Sequence, residues 1–201
     1  MDRLLIEDIS KSFDGTKVLS HFSAELSLPG RYALMGKSGI GKTSLLRILL
    51  GLEAPDEGRL SLVPKTDAPL RFSVLFQEDR LFPGADAVKN ICAATRSLKK
   101  EEAQEALSLI APDVDIHIPC RALSGGQKRR VSLIRALLHP SDVLLLDEPF
   151  TGLDEATRKK AIEYTRAHIG ERLMVMTTHD ENNAAALGCK MLRLEDITEN
   201  E

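Results

Sequence analysis

Eight consecutive residues, Gly36-Lys37-Ser38-Gly39-Ile40-Gly41-Lys42-Thr43, carry the clearest chemistry in this chain. Glycines let the backbone take positive φ and approach a ligand closely. Successive N–H groups can then turn inward around phosphate oxygens. Lys42 supplies a mobile cation for the outer phosphates of a nucleotide, and the Thr43 hydroxyl is placed to ligate Mg²⁺. The pattern G-x-x-x-x-G-K-[ST] carries this meaning only between a strand and a helix. Residues 31–35 are short and apolar enough for a buried strand, and residues 44–50 read as a core helix closed by Gly51. A glycine-rich turn with a surface lysine would need neither flank, so the stretch is read as a phosphate site at a helix N-terminus.

Further candidates fall at the ends of apolar runs. Val143-Leu144-Leu145-Leu146 suits a central parallel strand covered on both faces, and it ends in Asp147 and Glu148. The acids then emerge on the same edge as the phosphate loop. Asp147 is suited to a Mg²⁺ shell and Glu148 to orienting or deprotonating a water that attacks a γ-phosphate. His179 closes the apolar run 172–178, where an imidazole could reach the γ-phosphate or the water. Gln77 follows the strand predicted at 71–76, the end at which open α/β sheets bind ligands, and its amide oxygen could coordinate a metal. Ser124 is a good N-cap for a helix over 128–138, and Gly125 and Gly126 leave its first N–H groups unobstructed. That makes a second anion-binding helix end. Phe13 is either ordinary core or an aromatic platform for an adenine ring.

The elements that must position these residues are legible around them. At 201 residues the chain is long enough for one well-buried α/β domain. A strand at 4–9, a turn at Asp14-Gly15 and an alternating strand at 22–28 predict an antiparallel β layer before the core. A turn at 55–58 and a strand at 59–63 follow. Residues 77–125 read as a mostly helical insertion, and the charged run from Lys99 as a solvated helix face. Beyond Glu148 come a loop at 151–154, a helix at 155–169, helical residues at 180–187, a short strand at 190–194 and an acidic tail. The net charge of −3 gives no reason to expect a nucleic-acid surface. Cys92, Cys120 and Cys189 are odd in number and lack metal-ligand spacing, which suits reduced thiols in a cytosolic setting. No run approaches the ~20 apolar residues of a membrane span, and no leader is expected from Met1-Asp2-Arg3-Leu4.

Taken together, these residues resemble the nucleotide-binding subunits of ATP-binding cassette transporters over nearly the whole chain. Residues 36–43 resemble the Walker A motif, and 143–148 resemble Walker B with the family's catalytic glutamate. Leu123-Ser124-Gly125-Gly126-Gln127 is identical to the family signature. Gln77 falls at the Q-loop position, Gly152-Leu153-Asp154 resembles the D-loop, His179 the switch histidine, and Phe13 the aromatic position that stacks on adenine. The resemblance implies a P-loop NTPase fold: a mostly parallel core sheet, an N-terminal antiparallel layer and a helical subdomain at about 77–125 within a single ATPase domain over 1–201. It implies ATP and Mg²⁺ as cofactors, with Glu148, His179 and Gln77 in catalysis and Thr43, Gln77 and Asp147 at the metal. Nucleotide contacts are then expected from Phe13, from Gly36, Lys37, Ser38, Gly39, Ile40, Gly41, Lys42, Thr43 and Ser44, and from Ser124, Gly125, Gly126, Gln127 and Asp154.

Asp-Glu-Pro-Phe at 147–150 and the run from Gln77 to Pro83 are similar to bacterial importers whose ATPase is a separate polypeptide. Gly84-Ala85-Asp86-Ala87 departs from the Leu-Thr-Val such proteins often carry where they face the membrane partner, and Asn182-Asn183 stands where many relatives are acidic. The expected partners are a second cassette, identical or not, an integral membrane permease and, indirectly, a substrate-binding protein, with the chain on the inner face of the membrane. An exporter ATPase or a soluble cassette ATPase stays open as an alternative. A phosphotransferase on the same fold would not need residues 124–127. Because the helical insertion separates the phosphate loop from the signature, one chain is not expected to bring both onto one nucleotide.

Overall fold

The computed structural model describes residues 2–64, 69–95 and 97–194. The acidic tail read from the sequence lies outside them, as does most of the loop before Pro69.

The N-terminal layer is a three-stranded antiparallel sheet of order β2-β1-β4, made of β1 (Asp2–Phe13), β2 (Thr16–Leu28) and β4 (Glu57–Val63). Asp14 and Gly15 both take positive φ, 48° and 79°, as a two-residue turn between twisted antiparallel strands demands. Both strands run longer than the apolar pattern alone suggested, because β1 continues past Ile9 through a bulge. The turn expected at 55–58 is instead where β4 begins. Asp8 and Gly58 both have positive φ there, and a Cβ on Gly58 would stand 2.3 Å from the Asp8 carbonyl oxygen, so glycine is what lets the two strands meet.

The second sheet is parallel throughout, of order β5-β6-β7-β3-β8. Its strands are β3 (Gly30–Met35), β5 (Phe72–Leu75), β6 (Val143–Asp147), β7 (Leu173–Thr177) and β8 (Lys190–Arg193). Side chains of β6 alternate between faces. Leu144 and Leu146 join one core with α2 (Ala87–Cys92), α3 (Lys100–Ile110), α4 (Gly125–Leu138), α5 (Glu155–His168) and α6 (Glu181–Ala186). Val143 and Leu145 join the other with α1 (Lys42–Leu49) and the antiparallel layer. An unbroken apolar run is what a strand covered on both faces requires. The same reasoning explains α1, whose Leu45, Leu46, Ile48 and Leu49 are buried where both sheets share one core.

This packing holds the carboxyl ends of the five parallel strands along one edge. Leu145→Ala, at a fully buried position on the central strand, is expected to cost about 2–5 kcal/mol of unfolding free energy, by transfer and cavity together. Urea unfolding checks this against Leu52→Ala, at a residue that is 56% exposed and expected to change stability by less than about 0.5 kcal/mol.

Candidate active site

Along the carboxyl edge of the parallel sheet opens a cleft of about 880 Å³. Gly36, Lys37, Ser38, Gly39, Gly41, Lys42, Thr43 and Ser44 line one side, where β3 passes into α1. Gly41 is the N-cap of α1 with φ 97° and no side-chain cap, so the helix's first N–H groups are left for a ligand. A Cβ on Gly41 would meet the Val18 carbonyl oxygen at 2.3 Å, so the turn is crowded as well as left-handed. Lys42 is 8% exposed. Its Nζ donates to the carbonyls of Gly36 at 2.6 Å and Lys37 at 2.8 Å, which solvate a cation otherwise withdrawn from water.

The cleft is also lined by Asp147 and Glu148 from the end of β6, His179 beyond β7, and Gln77 and Asp79 beyond β5. Asp147 is 4% exposed. Its Oδ2 accepts from Thr43 Oγ1 at 2.9 Å and its Oδ1 from Thr177 Oγ1 at 2.6 Å. Thr177 also accepts the Glu148 N–H at 3.0 Å, so one buried hydroxyl orders both acids. Glu148 has φ 48°, a left-handed conformation that costs a non-glycine residue roughly 1–3 kcal/mol. Its Oε1 lies 3.2 Å from His179 Nδ1, and its Oε2 accepts from Thr151 Oγ1 at 3.2 Å.

Gly125 and Gly126 at the start of α4 line the same cleft. The fold returns α4 to the sheet edge, with Gly126 packed near Gly152 and Leu153. Ser124 and Gln127 form a capping box, Ser124 Oγ accepting from Gln127 N and Gln127 Oε1 from Ser124 N. The other end of the Gln127 amide donates to the Asp113 carbonyl at 2.9 Å and to its carboxylate at 3.2 Å. Both ends of Gln127 thus serve the helix end, and Ser124 and Gln127 are not among the residues lining the cleft.

Phe13, Ile40 and Asp154 also stand outside the lining. Phe13 is 43% exposed at the end of β1, with Lys11 Nζ 5.4 Å from its ring centre. Ile40 packs against the core shared with α1, and Asp154 caps α5 by accepting from Thr157 N at 3.0 Å.

Comparison with known proteins adds to this geometry. The family profile described as ABC transporter matches residues 19–151. An aliphatic sulfonates import ATP-binding protein of Rhodococcus jostii is 38% identical, over 84% of this chain and 69% of its own length. The chain belongs to the ABC transporter family. Two solved structures share the fold. The ATP-binding cassette MJ0796, in a dimeric post-hydrolysis state bound to ADP and Pi, superposes with TM-score 0.79 at 22% identity, covering 94% of this chain and 93% of its own. A bacterial Atm1-family ABC exporter with ATP bound gives TM-score 0.80 at 23% identity, over 95% of this chain and 36% of its own.

In this ABC cassette the sequence pattern passed over Thr177, Asp79, Thr151 and Arg129. Asp79 lies in the run from Gln77 to Pro83 but was given no role there, and the other three sit at positions to which no motif assigned a role. Thr177 was legible only as one residue inside the apolar run 172–178.

The Arg130 guanidinium, which donates to both carboxylate oxygens of Asp113, holds that carboxyl down to about 2. A carboxylate with a depressed folded-state pKa contributes stability that is complete above its unfolded value, about 3.9, and is lost as pH falls through the folded one. The difference in urea midpoint between wild type and Asp113→Asn is thus expected to be constant above about pH 5 and to close as pH falls toward about 2.

Proposed function

We propose that this chain is the ATP-hydrolysing, energy-coupling subunit of a bacterial solute importer, working as a dimer docked on a membrane permease. The observation that carries the reading is the meeting of Lys42, Thr43, Asp147, Glu148 and His179 around one cleft at the end of an uncapped helix. Loop N–H groups and the α1 terminus receive the phosphates. Lys42 exchanges the carbonyls of Gly36 and Lys37 for phosphate oxygens, a stronger, charge-assisted pairing. Thr43 Oγ1 and Asp147 Oδ2 are hard oxygen donors side by side, which fits Mg²⁺, an ion that keeps most of its waters and takes one or two protein ligands. Gln77 lines the same cleft and carries a further amide oxygen. When bound, Mg²⁺ neutralises phosphate charge and orients the terminal phosphoryl group. Glu148 would serve as base toward the attacking water, while His179, 3.2 Å from its Oε1, would hold the carboxylate in place.

The dimer rests on α4: Gly125 and Gly126 present a second helix N-terminus whose capping side chains are satisfied within the chain. A two-fold pairing would set each chain's signature over the nucleotide held by the other, and the cassette of similar fold described above is dimeric. No helix among the described residues is long and apolar enough to cross a membrane; in this reading the permease supplies the span and holds the cassette at its cytoplasmic face. Residues 77–125 act as the helical subdomain of one ATPase domain. The importer direction is supported by the Rhodococcus relative, whose name makes an aliphatic sulfonate the first cargo to assay. Likeness to the exporter carries no direction, since it is a likeness of fold.

Lys42→Ala is expected to abolish MgATP binding in calorimetric titration, and near-normal affinity would refute the phosphate assignment. Glu148→Gln keeps shape and removes the base. It is expected to bind ATP, to lose at least about 100-fold in turnover, and to run as a dimer with ATP and a monomer with ADP in light scattering. Wild-type turnover by that variant would reduce Glu148 to a structural acid.

A further inference from the structure

Helix α4 carries hydrogen-bond donors at every third position facing the strand ends: Arg129, Ser132 and Arg135. Ser132 Oγ donates to the Asp79 carbonyl at 2.9 Å, and Arg135 to the carbonyls of Arg80 at 3.1 Å and Asp79 at 3.2 Å. These two strap the segment after β5 onto the helix. Arg129 goes further. Its Nη1 donates to the carbonyls of Phe76 at 2.6 Å and Gln77 at 3.3 Å and meets Asp79 Oδ1 at 3.3 Å. Its Nη2 donates to the carbonyls of Asp147 and, at 2.8 Å, Glu148. One guanidinium therefore joins the carboxyl ends of β5 and β6 to the helix that begins at the signature.

Arg129 is 6% exposed. Burial pulls its pKa below the ordinary value, against the pull of Asp79. A charge withdrawn from water is tolerated when its donors are satisfied, and here most of the acceptors are the backbone carbonyls of Phe76, Gln77, Asp147 and Glu148. The planar fork matters because its donors diverge in fixed directions. A lysine ammonium in its place could satisfy one strand end at a time. Glu148, meanwhile, is held in a left-handed conformation. Its N–H is fixed by Thr177 and its carbonyl by Arg129, so the aim of its carboxylate depends on both anchors.

We propose that Arg129 is a positioning residue for hydrolysis, placing Glu148 and the Gln77 loop in one frame with the signature helix. This rests on the reading of Glu148 as the base. The chain's own Arg135 offers the comparison, since it straps the same loop without contacting β6 through any of its hydrogen bonds given above.

The test is steady-state ATP hydrolysis and MgATP titration of wild type, Arg129→Gln, Arg129→Lys and Arg135→Gln. Both Arg129 variants are expected to lose at least about 10-fold in kcat while the MgATP dissociation constant moves by less than about 3-fold, the mark of an interaction that acts on the transition state. Arg135→Gln is expected to stay within about 3-fold of wild-type kcat. Arg129→Lys keeps the buried charge and decides the matter if Arg129→Gln does not fold. Wild-type kcat in Arg129→Lys, or kcat and affinity falling by the same factor, would overturn the proposal. Absence of turnover in the wild-type chain would instead refute the hydrolytic reading on which it rests.

Discussion

A carboxylate withdrawn from water at the end of a central strand is the constraint around which the rest is arranged. Asp147 is nearly buried, and its two oxygens are held by hydroxyls from two different elements, Thr43 on α1 and Thr177 on β7. An unpaired charge there would be prohibitively costly. Pairing it requires the phosphate loop, β6 and β7 to end at the same height. The parallel order β6-β7-β3 supplies that level edge. The strand between the acid and the loop is thus the one that brings the second hydroxyl, and the cleft is a consequence of strand order and of side-chain chemistry at once.

Much of this was legible in the chain. The glycines and Lys42 between a strand pattern and a helix pattern announced the strand, loop and helix that line the cleft, and the run from Val143 to Leu146 announced a strand covered on both faces. Each signal is local: a turn that needs positive φ, or a period that survives in a short window. Boundaries were less legible where pairing decides them. The extension of β1 and the start of β4 depend on Asp8 and Gly58 meeting across a bulge, which no window along one strand contains.

The same reasoning explains which parts of the site were invisible. Thr177 reads as one residue inside an apolar run, and Arg129 as one cation in a basic run after the signature. Their importance comes from what lies across the fold from them. Gln127 shows the reverse case. Its motif marks it as functional, yet the structure commits both ends of its amide to Ser124 and Asp113. What the signature presents to the cleft is the backbone of Gly125 and Gly126.

The account stands or falls on whether the nucleotide's metal sits at the junction of α1 and β6. Crystals of Glu148→Gln grown with ATP and Mn²⁺ in place of Mg²⁺ would locate the ion by anomalous scattering. The account predicts one strong peak between Thr43 Oγ1 and Asp147, with Lys42 Nζ moved off the carbonyls of Gly36 and Lys37 onto phosphate oxygens. A peak elsewhere, or a bound nucleotide with Lys42 still on those carbonyls, would contradict it.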